Sequence, residues 1–159
     1  MNASVWLGLA VLFAALWSGL LLTITTILHP IYAARDGSGF AGDLHRFLPV
    51  ARRSPTNYVL VLGLIIAPAV ALIALWGENG EAPFSLTAIG LAFVLAGPLL
   101  SSRLLAEPNY EVIMGWDPDA LPADWTLVRS RYFALNWLRG VLTWTALGFF
   151  VAATWIQVS

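Results

Sequence analysis

The chain has 159 residues, 59% of them hydrophobic and 11% charged, whereas soluble domains carry about 25% charged residues. That balance excludes an ordinary soluble domain, and a net charge of −1 argues against nucleic acid as a partner. No cysteine is present, so disulfide and thiolate chemistry are excluded. All eight cations are arginine, which excludes lysine Schiff-base chemistry. The composition reads as one integral membrane domain over residues 1–159, with the lipid bilayer as its first partner.

Val5 to Leu28 is the first apolar run. It lacks a basic leader and exceeds the apolar stretch of a signal peptide, so a retained helix is expected. Ser18, Leu22, Thr25 and His29 share a face by helical spacing, while Thr23 and Thr26 are expected to bond to carbonyls one turn back. His29-Pro30 is expected to end the helix, because proline disfavours the α conformation before it. Residues 31–53 form a charged connector carrying Arg35, Asp36, Asp43, His45, Arg46, Arg52 and Arg53. Gly37-Ser38-Gly39 reads as a turn, and Asp43–Ala51 as a short interfacial helix capped by Asp43, with Leu44, Phe47 and Leu48 on its apolar side.

Ser54-Pro55 has the form of an N-cap followed by proline at the first helical position. The second span follows, Tyr58 to Trp76, with a kink expected at Pro68. A short loop leads to the third span, Phe84 to Leu105, where Gly90 and Gly97 lie on one face and permit close packing. A polar connector over 106–131 contains Glu107, Asn109, Glu111 and a Gly/Pro/Asp-rich loop.

The last helix opens near Pro122 or Asp124 and carries the most unusual pattern in the chain. Trp125, Arg129, Tyr132, Asn136 and Arg139 are spaced 4, 3, 4 and 3 apart, which places all five within an arc of about 80° on a helix. The apolar run from Val141 to Trp155 covers only 15 residues, while a span needs about 20. The span therefore begins near Tyr132, so that Asn136 and Arg139 lie below the membrane surface, where polar groups are costly and face an interior. The competing reading is an interfacial anchor, with arginine and tryptophan snorkelling to the headgroups.

Together these elements predict an all-α fold, an integral membrane up-down four-helix bundle with an interfacial helix between the first and second spans. The spans are placed at about 5–28, 56–76, 84–105 and 132–156, with interfacial or re-entrant connectors at 29–55 and 106–131. The connector 29–55 carries four arginines, the region 103–131 carries three, and the 77–83 loop carries none. By the positive-inside rule both large connectors face the cytoplasm, with the N- and C-termini outside, in a bacterial inner membrane. Trp6, Trp76, Phe84 and Trp155 would then mark the outer interface, and Trp116 and Trp125 the inner one.

This topology brings His29, His45, Arg46, Arg103, Glu107, Asn109, Glu111 and the polar stripe to one leaflet. Two readings stand. One is a closed ion-paired rim, with Glu107 and Glu111 neutralising Arg103 and Arg129. The other is a pocket for an apolar aromatic molecule with a few polar anchors. In such a pocket a histidine, His45 or His29, could abstract a proton beside a carbonyl while Arg129, Asn136 and Arg139 stabilise the oxyanion. Trp125, Tyr132, Asn109, Glu107 and Arg46 would contact the substrate. No metal site is assigned, although haem or iron held by His29 and His45 stays open as an alternative.

The stretch Trp125-xxx-Arg129-xx-Tyr132-xxx-Asn136-x-Leu138-Arg139, preceded by Pro108-Asn109, resembles the small four-helix membrane family that includes the fungal anthrone oxygenases. That family carries Trp, Arg, an aromatic, Asn and Leu-Arg at these spacings, with a Pro-x-Asn element ending its third helix. Here Asn109 follows Pro108 directly and Tyr110 fills the next place. The resemblance implies oxidation of a polycyclic phenolic substrate by dioxygen, anthrone to anthraquinone. Two other function classes remain: a non-enzymatic accessory subunit of a larger membrane complex, or a homo-oligomer, and a transporter, for which Thr143 is the only deep polar continuation of the stripe.

Overall fold

The computed structural model describes residues 2–159. Five helices make up the fold, with no strand among the described residues. We number them α1 (Ala3–Ala33), α2 (Gly37–Arg53), α3 (Pro55–Ala74), α4 (Ala82–Met114) and α5 (Trp125–Val158). All but α2 are long and apolar enough to cross a membrane.

Helix direction follows from which side chains meet. Leu7, Ala71, Leu75 and Ala153 form one buried cluster, with Phe84 and Leu86 against it. The start of α1, the end of α3, the start of α4 and the end of α5 therefore share one end of the bundle. Tyr32, Tyr110, Ile113, Tyr132 and Leu135 meet at the opposite end. The bundle runs up and down, with α1 beside α3 and α5, and α4 beside α5 and α3. Both termini emerge together. Outward faces are apolar on all four long helices, as Leu12, Leu62, Ile89 and Val141 show at 42–56% exposure.

Two glycines explain the close approach of α4 to α5. A Cβ at Gly90 would lie 2.5 Å from the Phe150 ring, and one at Gly97 would lie 2.8 Å from Leu142. Real carbon atoms do not approach that closely, so only glycine fits.

Several boundaries differ from the sequence reading, and proline is the common reason. The first helix does not end at His29-Pro30; it continues to Ala33 through a π-helical turn at Ile24–Leu28. Proline lacks an N–H and crowds the carbonyl four residues back, and the wider π turn relieves that conflict. Thr25 and Thr26 bond to Leu21 and Leu22 carbonyls there, and Thr23 bonds to Gly19, as expected of Thr23 and Thr26. Leu22 is half exposed and leaves the face shared by Ser18, Thr25 and His29.

The third span likewise does not stop near Leu105. It passes Pro98 in a π-helical segment, Leu95–Ala106, and ends at Met114. Residues 106–114, expected in a connector, are thus the last turns of a continuous helix. The fourth span, α5, starts at Trp125, behind Asp124. Pro68 and Pro49 both lie inside helices.

α2 is twice the expected length. Gly37 to Gly39 form its first turn rather than a separate turn, and its cap is Asp36, not Asp43: the Asp36 side chain accepts from Gly39 N at 2.8 Å. Asp43 pairs with Arg35 at 3.0 Å instead. Leu44 and Leu48 are buried and Phe47 partly so, on the expected apolar side. They face the ends of α4 and α5, together with Phe40 and Ala41. Ser54 caps α3, accepting from Asn57 N at 3.4 Å, with Pro55 in the first turn as predicted.

Candidate functional site

The polar stripe of α5 turns inward. Tyr132 and Asn136 are 1% and 2% exposed, while their neighbours Trp137 and Leu138 are 43% and 41% exposed on the opposite side. Asn136 donates from Nδ2 to the Tyr132 carbonyl at 3.1 Å, one turn back. That fixes its Oδ1 as an acceptor, and Arg139 Nη1 donates to it at 3.3 Å. The same Nη1 donates to the Tyr110 hydroxyl on α4 at 2.9 Å. Arg139 makes no salt bridge among the described residues. Its Nε is buried without a partner, a costly state for a charged donor.

Arg139, Asn136 and Tyr132 form one wall of a cavity of about 320 Å³, within the size range of small-molecule sites. The opposite wall is Trp17, Leu20, Leu21 and Ile24 of α1, and the α2 residues Phe47, Leu48, Val50, Ala51 and Arg52 close one side. Ser54, Asn57, Glu107 and Tyr110 complete it. The lining is mostly apolar. Its unpartnered buried side-chain atoms are Trp17 Nε1, Arg139 Nε, and Nε and Nη2 of Arg52. All are N–H donors, and they lie within the wall with no accessible surface of their own; Arg52 Nη2 is already held by carboxylates.

Arg52 sits between two carboxylates. Its Nη2 lies 2.7 Å from Glu107 and 2.8 Å from Glu111, although the hydrogen-bond directions are not met. Its guanidinium also lies over the Tyr110 ring at 5.8 Å. The expected pairing of Glu107 and Glu111 with Arg103 and Arg129 does not form; Arg52, from the other connector, takes both. Glu107 is the carboxylate on the cavity wall among the described residues.

The remaining predicted residues lie elsewhere. Arg129 donates from Nη1 to the Arg35 carbonyl at 3.1 Å, and stacks over Trp125 at 4.6 Å and Phe40 at 5.9 Å. It clamps the end of α1 to α2 and α5. Trp125 packs against Gly37. Asn109 is buried and donates to the Val128 carbonyl at 3.4 Å, on a separate groove between α4 and α5. Arg46 is exposed. Trp116 is buried in the cluster that α2 forms with α4 and α5.

Neither histidine lines the cavity. His45 Nε2 lies 2.9 Å from the Ile113 carbonyl; a carbonyl only accepts, so that nitrogen carries the proton. His29 is 5% exposed, with ring centroids 4.5 Å from Phe133 and 5.7 Å from Tyr132, and both of its nitrogens lack partners. No group of three His, Asp or Glu side chains converges on a metal-ligating arrangement among the described residues. Thr143 donates to the Arg139 carbonyl at 2.8 Å.

Sequence reasoning missed Arg52, Trp17, Ser54, Asn57 and Tyr110. Trp17 carried the readable signal, because tryptophan favours the two edges of a span and this one falls in the middle of the first apolar run. Comparison with family models, curated proteins and solved structures returns no match.

Proposed function

We propose that the protein is an integral membrane, anthrone-oxygenase-like enzyme, in which the cavity walled by Arg139 binds an apolar aromatic molecule through its carbonyl oxygen and dioxygen oxidises it. The observation that carries the reading is Arg139, a part-buried guanidinium that makes no salt bridge among the described residues and stands on a largely apolar cavity wall. The motif resemblance over 106–139 supplies the reaction class. Helix length supports four spans, and the arginine distribution favours the large connectors toward the cytoplasm with both termini outside; the bacterial inner membrane is part of the proposal.

α3 sets the membrane level. Its 20 residues give a length of about 30 Å, one hydrocarbon thickness. α1, α4 and α5, at 31, 33 and 34 residues, are each longer by about 15–20 Å, and the excess gathers with α2 at the end where α3 begins. The cavity touches Ser54 and Asn57 at that beginning, so it sits at the cytoplasmic edge of the hydrocarbon.

The substrate carbonyl accepts from the Arg139 guanidinium. Glu107 takes a proton from the ring methylene across the central ring from that carbonyl, the charge spreads through the arene onto the carbonyl oxygen, and Arg139 holds the oxygen as that charge develops. The carbanion carbon then bonds to dioxygen. In the balanced reaction the methylene loses two hydrogens and becomes a carbonyl with one oxygen atom, while the other oxygen leaves as water. Glu107 replaces the histidines as the base in this reading because it lies on the wall and they do not.

The test is oxygen uptake and quinone formation from anthrone by the purified full-length protein in detergent micelles. Turnover that falls at least tenfold in Glu107→Gln and stays within twofold in His45→Ala supports the proposal. A protein that gives no rate above the protein-free control, and purifies instead with larger membrane subunits, would be an accessory subunit, and the enzymatic reading would be lost.

A further inference from the structure

A second cavity of about 440 Å³ lies on the other side of the Arg52–Glu107 pair. It opens in the seam between α3 and α4, and shares Trp17, Arg52, Asn57, Glu107 and Arg139 with the first. Its own lining is of two kinds: Val61, Pro98 and Leu99 are apolar, while Ser102 and Arg103 are polar and sit at the end nearer the start of α3.

We infer that this second chamber binds the anionic headgroup of an amphiphile arriving sideways from the bilayer, with its chain lying along the α3–α4 seam. Charge is the first argument. Three arginines, Arg52, Arg103 and Arg139, face two carboxylates, Glu107 and Glu111, and both carboxylates lie on Arg52. Arg103 and Arg139 make no salt bridge among the described residues, so the lining carries a net charge of one positive, which a single anion balances. An unpartnered group is the second argument. Ser102 Oγ, which belongs to this chamber and not to the first, is buried without a hydrogen-bond partner beside Arg103. An oxyanion that accepts from Arg103 can accept from that hydroxyl as well. Shape is the third argument. The polar end grades into Val61, Pro98 and Leu99 in the α3–α4 seam, an apolar stretch suited to an acyl chain.

This inference needs the protein to be in a membrane but does not need it to be an enzyme, so failure of anthrone turnover leaves it standing. The experiment reconstitutes the full chain in nanodiscs containing equal parts of phosphatidylglycerol and phosphatidylcholine, and counts lipid retained by native mass spectrometry after release. The expected result is at least tenfold enrichment of phosphatidylglycerol. It falls to the input ratio in Ser102→Ala/Arg103→Gln and is unchanged in Arg131→Gln, which removes an exposed cation outside the chamber. Equal retention of the two lipids, or loss of enrichment in Arg131→Gln as well, would overturn the site, since either shows general charge attraction. A parallel titration with inorganic phosphate separates the sources: displacement of the lipid by millimolar phosphate would overturn the amphiphile as occupant and leave a free oxyanion in its place.

Discussion

At the residue scale, the proposed chemistry rests on a donor held in place before any guest arrives. Arg139 is fixed through Nη1 by Tyr110 and Asn136 and stands on the cavity wall. Such preorganised donors contribute most where charge develops, and removing one typically costs about a hundredfold in rate. Arg139→Gln is therefore expected to lower turnover by about a hundredfold while leaving helicity by circular dichroism unchanged. His29 is the opposite case. Its two ring nitrogens are buried beside Phe133 and Tyr132 with nothing to bond, and an unmet buried polar group costs about 1–3 kcal/mol. His29→Phe keeps a flat ring and removes that cost, so the thermal midpoint in detergent should rise or hold, with turnover within a few-fold. A hundredfold loss of turnover at an unchanged midpoint would instead return the role of base to His29.

At the scale of elements, glycine and proline set how the helices meet. Gly90 and Gly97 let α5 approach α4. Gly90→Leu should destabilise the bundle by about 1–3 kcal/mol, the usual cost of overpacking, whereas Gly148, which has nothing within 4 Å, should accept leucine with little change in midpoint. The spans themselves were legible in the sequence, because 20 apolar residues leave few alternatives. So was the inward turn of Tyr132, Asn136 and Arg139, because a 4-3-4-3 spacing has only one geometric solution on a helix. The helix ends were not legible. A proline reads locally as a stop, yet Pro30 and Pro98 sit in or beside π-helical turns that let the backbone continue, and only contacts with neighbouring helices stabilise such turns. Arg52 was also hidden. Its partners Glu107 and Glu111 are more than 50 residues away in sequence, and pairing at that distance depends on how α2 folds back over α4.

At the scale of the whole molecule, polar groups gather at one end, and the cluster around Leu7, Ala71, Leu75 and Ala153 seals the other. Since both termini emerge at the sealed end, reporters fused to either should report the same side. Alkaline phosphatase at the C-terminus is expected to be active and a cytoplasm-dependent fluorescent protein dark; the reverse pattern would invert the orientation. The short third helix has one more consequence. Because α3 begins its 20 residues beside both cavities, guests are expected to reach them from within the acyl layer rather than from water. Their supply is then set by how many guest molecules share each unit of membrane area. Adding inert phospholipid at fixed total guest and protein should slow turnover in proportion to the added lipid, a surface-dilution behaviour that a water-facing mouth would not show.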